Sequence, residues 1–363
     1  MSRHRIRSQS SWFWPAFSLA ALALAALPAG LHAQGCVPIK EMGDQTVAID
    51  GVTTGSAADK WSFSEQYEHF RSYLDYIGSF NNTPARNLAG NQVINVVDQF
   101  DSSISFTPDA RDTFSLDIPY FAATRSQLVN GLGRYRTAAR DLGDLRASVD
   151  RWIINPKSNP RGNISLGVGL SIPTGKSNVK DEFHTTSGLV DKNVDQSIQP
   201  GLGGWGFIVA GSAYYKLLAS TSLYADGFYM ATPQDTNGTR TTSAITSETA
   251  YDSVYDQYEL RGGVTEKIVR LGSGQLTASL GGRWEGVPSN DLIGRSDGFR
   301  RPGYVISVEP GVAYLLPHDS FSLSIPVAEY MNRTQSYPDT LTGGHGDAFF
   351  AKFLVLATYS HRW

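Results

Sequence analysis

The chain has 363 residues, 41% of them hydrophobic and 11% aromatic, with 31 basic against 34 acidic side chains and a mean hydropathy of −0.23. That balance leaves no electrostatic footprint for a nucleic acid, and a single cysteine rules out an internal disulfide framework. The 36 glycines, 17 tyrosines and 17 phenylalanines lean toward β structure with many turns.

The first elements in chain order are an address and a spacer. Arg3, His4, Arg5 and Arg7 form a basic start, Trp12 to Leu27 is apolar, and Leu31-His32-Ala33 is a cleavage site before Gln34. Residues 1–33 therefore read as a secretory signal, since the apolar run is shorter than the roughly 20 residues of a spanning helix. Residues 34–59 read as a polar periplasmic extension, the alternative being a segment tucked into the barrel mouth. Cys36 follows the cleavage site, but Ala33-Gln34-Gly35 suits ordinary cleavage better than acylation, so the thiol is expected to carry no lipid.

From residue 60 to the end one grammar repeats: about ten alternating residues, a turn, ten more, then a long polar loop. In GNISLGVGLSIPTG, Ile164, Leu166, Val168, Leu170 and Ile172 share one face, and Ser165, Gly167, Gly169 and Ser171 share the other. TFSLDIPYF and SFSLSIPV alternate in the same way. Further strands are expected at Trp61–Tyr76, Val93–Phe106, Leu142–Ile154, Trp205–Leu217, Leu223–Met230, Ser253–Glu266, Leu276–Val287, Tyr304–Leu315 and Ala348–Trp363, about twelve in all. In the first of these, Glu65 and His69 spoil the alternation.

Short connections (107–112, 155–162, 218–221, 267–274, 316–319) alternate with long ones (77–92, 123–141, 174–199, 231–252, 288–303, 332–347). This is the layout of a closed antiparallel transmembrane β-barrel, with short periplasmic turns and long extracellular loops. Aromatics fall at both strand ends, as two interfacial belts would require: Trp61, Phe106, Phe114, Tyr215, Tyr314 and Phe321 near turns, and Tyr120, Trp205, Tyr229, Trp284, Tyr304 and Phe349 near loops. Trp363 would end the closing strand and pair with the first, so it is expected to act as the assembly signal for the barrel-assembly machinery.

Three stretches, LGDLRASVDRWIINP, GNISLGVGLSIPTGKSN and VDQSIQPGLGGWGFIVAGSAYYK, resemble the Gram-negative outer-membrane β-barrel transporter family, similar to the proteins of the phenol-degradation meta-pathway group. The resemblance covers most of residues 61–363. It implies passage of small, aromatic or apolar solutes across the outer membrane. Its motifs are scaffold and carry no catalytic residue. Asp150-Arg151, adjacent charges in the fourth strand, depart from the pattern.

Alternation turns Asp117, Asp144, Arg146, Asp150, Lys216, Asp226, Glu259, Arg261, Arg283, Glu285, Glu309 and Lys352 toward the lumen. Of these, Asp117, Arg146, Asp226, Glu259, Arg261, Arg283, Glu285 and Glu309 are the expected pore lining. A charge facing lipid would cost about 2–4 kcal/mol at the midplane for Arg or Lys. With neither sign dominating, weak ion selectivity is expected. Ion pairs holding a narrow barrel round and a wet, mixed-charge pore both remain open.

No cofactor or metal is expected. Gly201-Leu202-Gly203-Gly204-Trp205-Gly206 matches a dinucleotide fingerprint in letters, yet it precedes an alternating segment where that site needs a helix. Gly175-Lys176-Ser177 lacks the correctly spaced upstream glycine of a P-loop. Ser360 and His361 are strand neighbours that point to opposite faces, so they make no nucleophile–base pair. Passive passage of small solutes, without catalysis, is the reading favoured here. The alternatives are a structural or adhesive barrel acting through its loops and, less favoured, a lipid-modifying enzyme. The expected partners are outer-membrane lipid, the assembly machinery and a small solute. Oligomeric state stays open.

Overall fold

The computed structural model describes residues 60–129, 132–241, 247 and 249–363. The expected leader, the 34–59 extension and Cys36 lie outside the described residues. Twelve antiparallel strands form one closed barrel. They are β1 (Trp61–Ile77), β2 (Ile94–Phe106), β3 (Asp112–Val129), β4 in two pieces (Gly133–Leu142 and Leu145–Trp152), β5 (Gly162–Ile172) and β6 (Gly206–Lys216). The second half comprises β7 (Thr221–Ala231), β8 (Gln257–Leu271), β9 (Gly274–Val287), β10 (Gly303–Leu315), β11 in two pieces (Asp319–Ser324 and Val327–Asn332) and β12 (Ala348–Arg362).

Each strand pairs with its successor, and β12 returns to β1 with Ser62 opposite Arg362 and Tyr76 opposite Ala348. Closure removes the free edge that lipid cannot satisfy. Burial follows the alternation. On β5, Asn163, Ser165 and Ser171 are buried while Leu166 and Val168 are 58% and 64% exposed; Val209 on β6 and Leu260 on β8 are 62% and 53% exposed. Exposed branched side chains around the wall, backed by buried polar ones, are inverted relative to a water-soluble protein and suit a bilayer. No described helix is long and apolar enough to cross a membrane.

The aromatic belts form as expected, with one exception. Tyr229, Tyr258, Trp284, Tyr304 and Tyr330 make a continuous run of ring contacts, 5.2–6.4 Å between centroids, along the loop end of β7 to β11. At the turn end Trp61 packs on Phe106 (4.7 Å) and Phe321 on Tyr359 (5.0 Å). Phe349 departs from this pattern and is buried, 2% exposed. Two compensating bulges shift the β1–β12 register, from Phe70 opposite Leu354 to Ser72 opposite Ala351 to Leu74 opposite Phe350, and turn Phe349 away from lipid.

The second outer connection also differs from expectation. Instead of a loop over 123–141, β3 and the upper piece of β4 continue as a tall hairpin, Tyr120 opposite Leu142 through Val129 opposite Gly133. Above the membrane both faces of a hairpin can be polar, so Arg134, Arg136 and Arg140 hide the alternation from a hydropathy reading.

Candidate functional site

The barrel interior has three tiers, and each follows from which residues the alternation turns inward. The lowest is a belt of charge. Arg261 on β8 meets Asp226 on β7 (2.9 Å), Glu259 (3.3 Å) and Glu309 on β10 (3.1 Å). Arg283 on β9 meets Glu259 (2.8 Å), Glu285 (2.9 Å) and, at 3.7 Å, Glu309. On the other wall Arg146 of β4 reaches past β3 to Asp101 of β2 (2.7 Å), which also accepts the Gln99 amide. Glu68 of β1 lies in electrostatic range of Asp101, Arg146 and Glu285, so the belt spans the bore. Beside Arg261 and Glu309 a cavity of about 40 Å³ is lined by Gln66, Tyr224, Ser279 and Thr358.

All eight expected lining residues face the interior, and all but Asp226 are buried there. The structure brings Asp226, Glu259, Arg261, Arg283, Glu285 and Glu309 into one network and Arg146 into a second. Asp117 sits opposite Arg146 in the ladder, yet the Arg146 guanidinium turns to Asp101. Asp144, expected in the lumen, instead stitches the wall: its carboxylate accepts from the backbone N–H groups of Gly175 (3.0 Å) and Leu202 (2.7 Å) where β4 is interrupted.

Toward the loop end from Glu68 and Asp101, an apolar cluster lines the β1 to β3 and β12 wall, interrupted by the buried Ser72, Asn95 and Arg125. Phe70, Val97, Phe121, Ala123, Leu354 and Leu356 form a pad on which Val194 and Ile198 rest. These last two belong to the third tier, the 173–205 loop, whose 3₁₀ turn Gln196–Ile198 folds into the barrel mouth. Asp195 caps that turn. It accepts two bonds from Arg301 (2.9 Å each), with Arg125 of β3 at 3.5 Å. Burial would raise the Asp195 carboxyl, but the two guanidinium groups outweigh it and hold the group well below the usual carboxylate range. Asp252, in the 232–256 loop, is compensated only in part, by the Thr241 side chain and Arg301. Burial and the neighbouring Asp195 charge push it up to about 7.

One place in the wall is open as a ladder. The upper piece of β11 pairs with β10, but its bonding to β12 ends at Val327 opposite Phe353, with Leu354 N–H donating to Pro326 O (3.1 Å). Higher up, Arg333 N–H donates to Gly78 O (2.9 Å), so the interruption is bounded above and below. Ala328, Met331, Phe349 and Phe350 fill it from within. Pro326 supplies the cause, since it can offer no backbone donor at the break.

Sequence reading missed Asp101, Glu68, Arg125, Asp195 and Arg301. Asp101 and Glu68 sit at inward positions of their strands, and Arg125 continues the buried series Phe121, Ala123, Arg125 once β3 is extended. Asp195 and Arg301 are on loops, where no periodicity marks them.

The fold defines a class: the chain is a closed twelve-stranded antiparallel β-barrel of the outer-membrane type. An outer-membrane channel from Pseudomonas putida F1 superposes with a TM-score of 0.55 at 10% identity, over 89% of this chain and 100% of that one. The translocator domain of the autotransporter NalP from Neisseria meningitidis gives 0.43 at 10% identity over 96% of each chain. The Ralstonia pickettii toluene transporter TbuX gives 0.42 at 8%, over 90% of this chain and 99% of that one. Only the first superposes closely enough to bear on the fold. No family model and no curated protein matches the sequence.

Proposed function

We propose that the protein passes small apolar or aromatic solutes across the outer membrane without catalysis, as the resemblance to the phenol-degradation meta-pathway group implies. The observation that carries this reading is the division of the interior: an apolar pad on the β1 to β3 and β12 wall, covered by Val194 and Ile198 of the 173–205 loop, beside a packed belt of charge. An apolar solute is favoured in the upper tier and opposed by the lower one. Its easiest exit is sideways, past Phe349 and Phe350, where the β11–β12 ladder is interrupted. The belt then serves as a floor and a narrow ion path. The expected lining residues have that role; they are five carboxylates against three arginines, and Asp101 and Glu68 add to the acidic excess that gives weak cation preference.

Two measurements test this. Proteoliposomes should take up a small aromatic such as phenol faster than glucose, and single-channel recordings should show modest, weakly cation-selective conductance. Equal rates for phenol with and without protein would end the proposal. The packing of the belt also supports a second reading, a closed scaffold working through its loops. That reading predicts neither uptake nor conductance.

A further inference from the structure

The outward face of β1 to β4 at the loop end is unlike the rest of the wall. Arg71 on β1 and Arg136 and Arg140 on β4 point away from the lumen and are exposed. They share a ladder row: Arg71 lies opposite Val96, Val96 opposite Thr124, and Thr124 opposite Ala138, the outward residue between Arg136 and Arg140. At about 4.8 Å per strand, Arg71 stands roughly 14 Å from that pair's midpoint. Height is set by the wall itself. Arg140 is the next outward residue above Leu142, whose ladder partner is Tyr120, and both are exposed at the upper edge of the apolar band. Arg71 lies beneath Tyr73, its guanidinium 5.0 Å from the ring centre.

The three guanidinium groups make no ion pair among the described residues. The nearby carboxylates are already engaged: Asp181 accepts from the backbone N–H of Ala138 (2.7 Å), the residue between Arg136 and Arg140. Asp98, two strands from Arg140 through Ala122, is already held by His69 (2.8 Å) and the Tyr67 hydroxyl (2.6 Å). Arg134, also outward, spends its guanidinium on Ser126 and Gln92.

The geometry points to a docking surface for the phosphorylated headgroup of an outer-leaflet lipid, held by Arg71, Arg136 and Arg140. A planar guanidinium fork matches phosphate oxygens in pairs. Cations without partners just above an apolar belt sit at the depth where lipid phosphates lie, and such residues are worth about 1 kcal/mol each toward an anionic surface. The remaining wall of β5 to β10 presents apolar side chains at this depth and offers no competing site. The surface lies outside the barrel and does not depend on the transport reading.

The test uses the full-length protein in phosphatidylcholine nanodiscs doped with diphosphoryl lipid A, or with lipid A stripped of both phosphates. Wild type should retain diphosphoryl lipid A through detergent extraction and release the dephosphorylated form. The triple variant Arg71→Gln, Arg136→Gln, Arg140→Gln should bind the diphosphoryl form on the order of a hundredfold more weakly. Arg151→Gln, an outward arginine at the turn end already paired with Asp112, should bind as wild type. Millimolar inorganic phosphate should fail to displace the lipid; full displacement would mark a simple anion site and overturn the assignment. Equal retention of both lipid forms, or an unchanged triple variant, would overturn it too. Heat-modifiable migration reports folding of each variant, and Arg140→Gln alone is the fallback if the triple variant does not assemble.

Discussion

Arg283 is fully enclosed and holds Glu259 and Glu285 at 2.8 and 2.9 Å. A buried ion network adds little over an apolar core, yet breaking it from one side strands the remaining charges, at about 3–5 kcal/mol. Arg283→Ala should therefore lower the unfolding midpoint seen by heat-modifiable migration, more than Arg151→Ala at the exposed rim. Asp252 sets a pH dependence. Its carboxyl lies near 7 with the loops closed, against an ordinary value of 3.8. The closed state then binds the extra proton, so closure is strongest below about 4, weakens as pH rises to about 7, and is flat above. Hydrogen-exchange protection at 194–199, corrected for the intrinsic pH dependence of amide exchange, should fall between about pH 4 and 7, and Asp252→Asn should remove that fall; an identical fall in the variant would clear Asp252 of the role. The facing groups are Asp195 and Arg301, and neither titrates in that window on its own. On the lipid side, Glu65 and His69, which spoil the alternation of β1, each find a partner on β2: Ser102 donates to Glu65 (2.5 Å), and His69 Nδ1 lies 2.8 Å from Asp98.

At the scale of the element, β12 has two jobs. Its end closes the barrel: Trp363 O accepts from the N–H groups of Lys60 (3.1 Å) and Trp61 (3.2 Å), and Trp363 N–H donates to Trp61 O (3.0 Å). Deleting Trp363 removes the last rung, so less assembled barrel should reach the membrane while synthesis and export are unchanged, measured by surface protease protection. Its start forms one side of the interrupted ladder. Phe349→Ala and Phe350→Ala should each speed aromatic uptake into proteoliposomes while destabilising the barrel by about 3–5 kcal/mol. Ion conductance, which runs through the belt, should hold nearly constant. Faster conductance with unchanged uptake would separate the interruption from the solute path. At the two-residue turn between β8 and β9, Gly272 takes φ of +60°, a conformation that hairpins of this length demand.

At the scale of the molecule, the proposed solute route meets an apolar pad and a charged belt, and its test is discrimination by polarity. Two arginines stand among Asp226, Glu259, Glu285 and Glu309. Replacing Arg261 and Arg283 with glutamine leaves those carboxylates crowded together on the adjacent strands β7 to β10. Their repulsion should widen the belt, raising conductance and shifting selectivity further toward cations in bilayer recordings. A change in stability with no change in either quantity would favour the closed scaffold. The wall is asymmetric at its loop end, apolar over β5 to β10 but carrying Arg71, Arg136 and Arg140 over β1 to β4, and this contrast places the arginine surface on one side only.

Much of this was legible in the residues. Period-two alternation sets strand and facing together, because a strand turns successive side chains to opposite sides; β5, β3 and the lower half of β11 could be read outright, and so could the inward facing of all eight lining positions. Connection lengths sorted the two ends of the barrel. What remained hidden depends on contacts between residues distant in sequence. Alternation says that Arg146 faces inward, but only the curvature of the closed sheet decides that it meets Asp101 past an intervening strand. It cannot show two compensating bulges, so Phe349 read as an outward belt residue. The tall β3–β4 hairpin was invisible because both its faces are polar. The fold of 173–205 into the mouth rests on Asp195 meeting Arg125 and Arg301 from elements far away in the chain. The sequence alone determined a barrel, its strands and the direction of its charges, since those follow from local periodicity. Tertiary structure alone decided that the charges close into a belt, that a loop caps the mouth and that one seam is left unpaired, since each of those is a pairing across space.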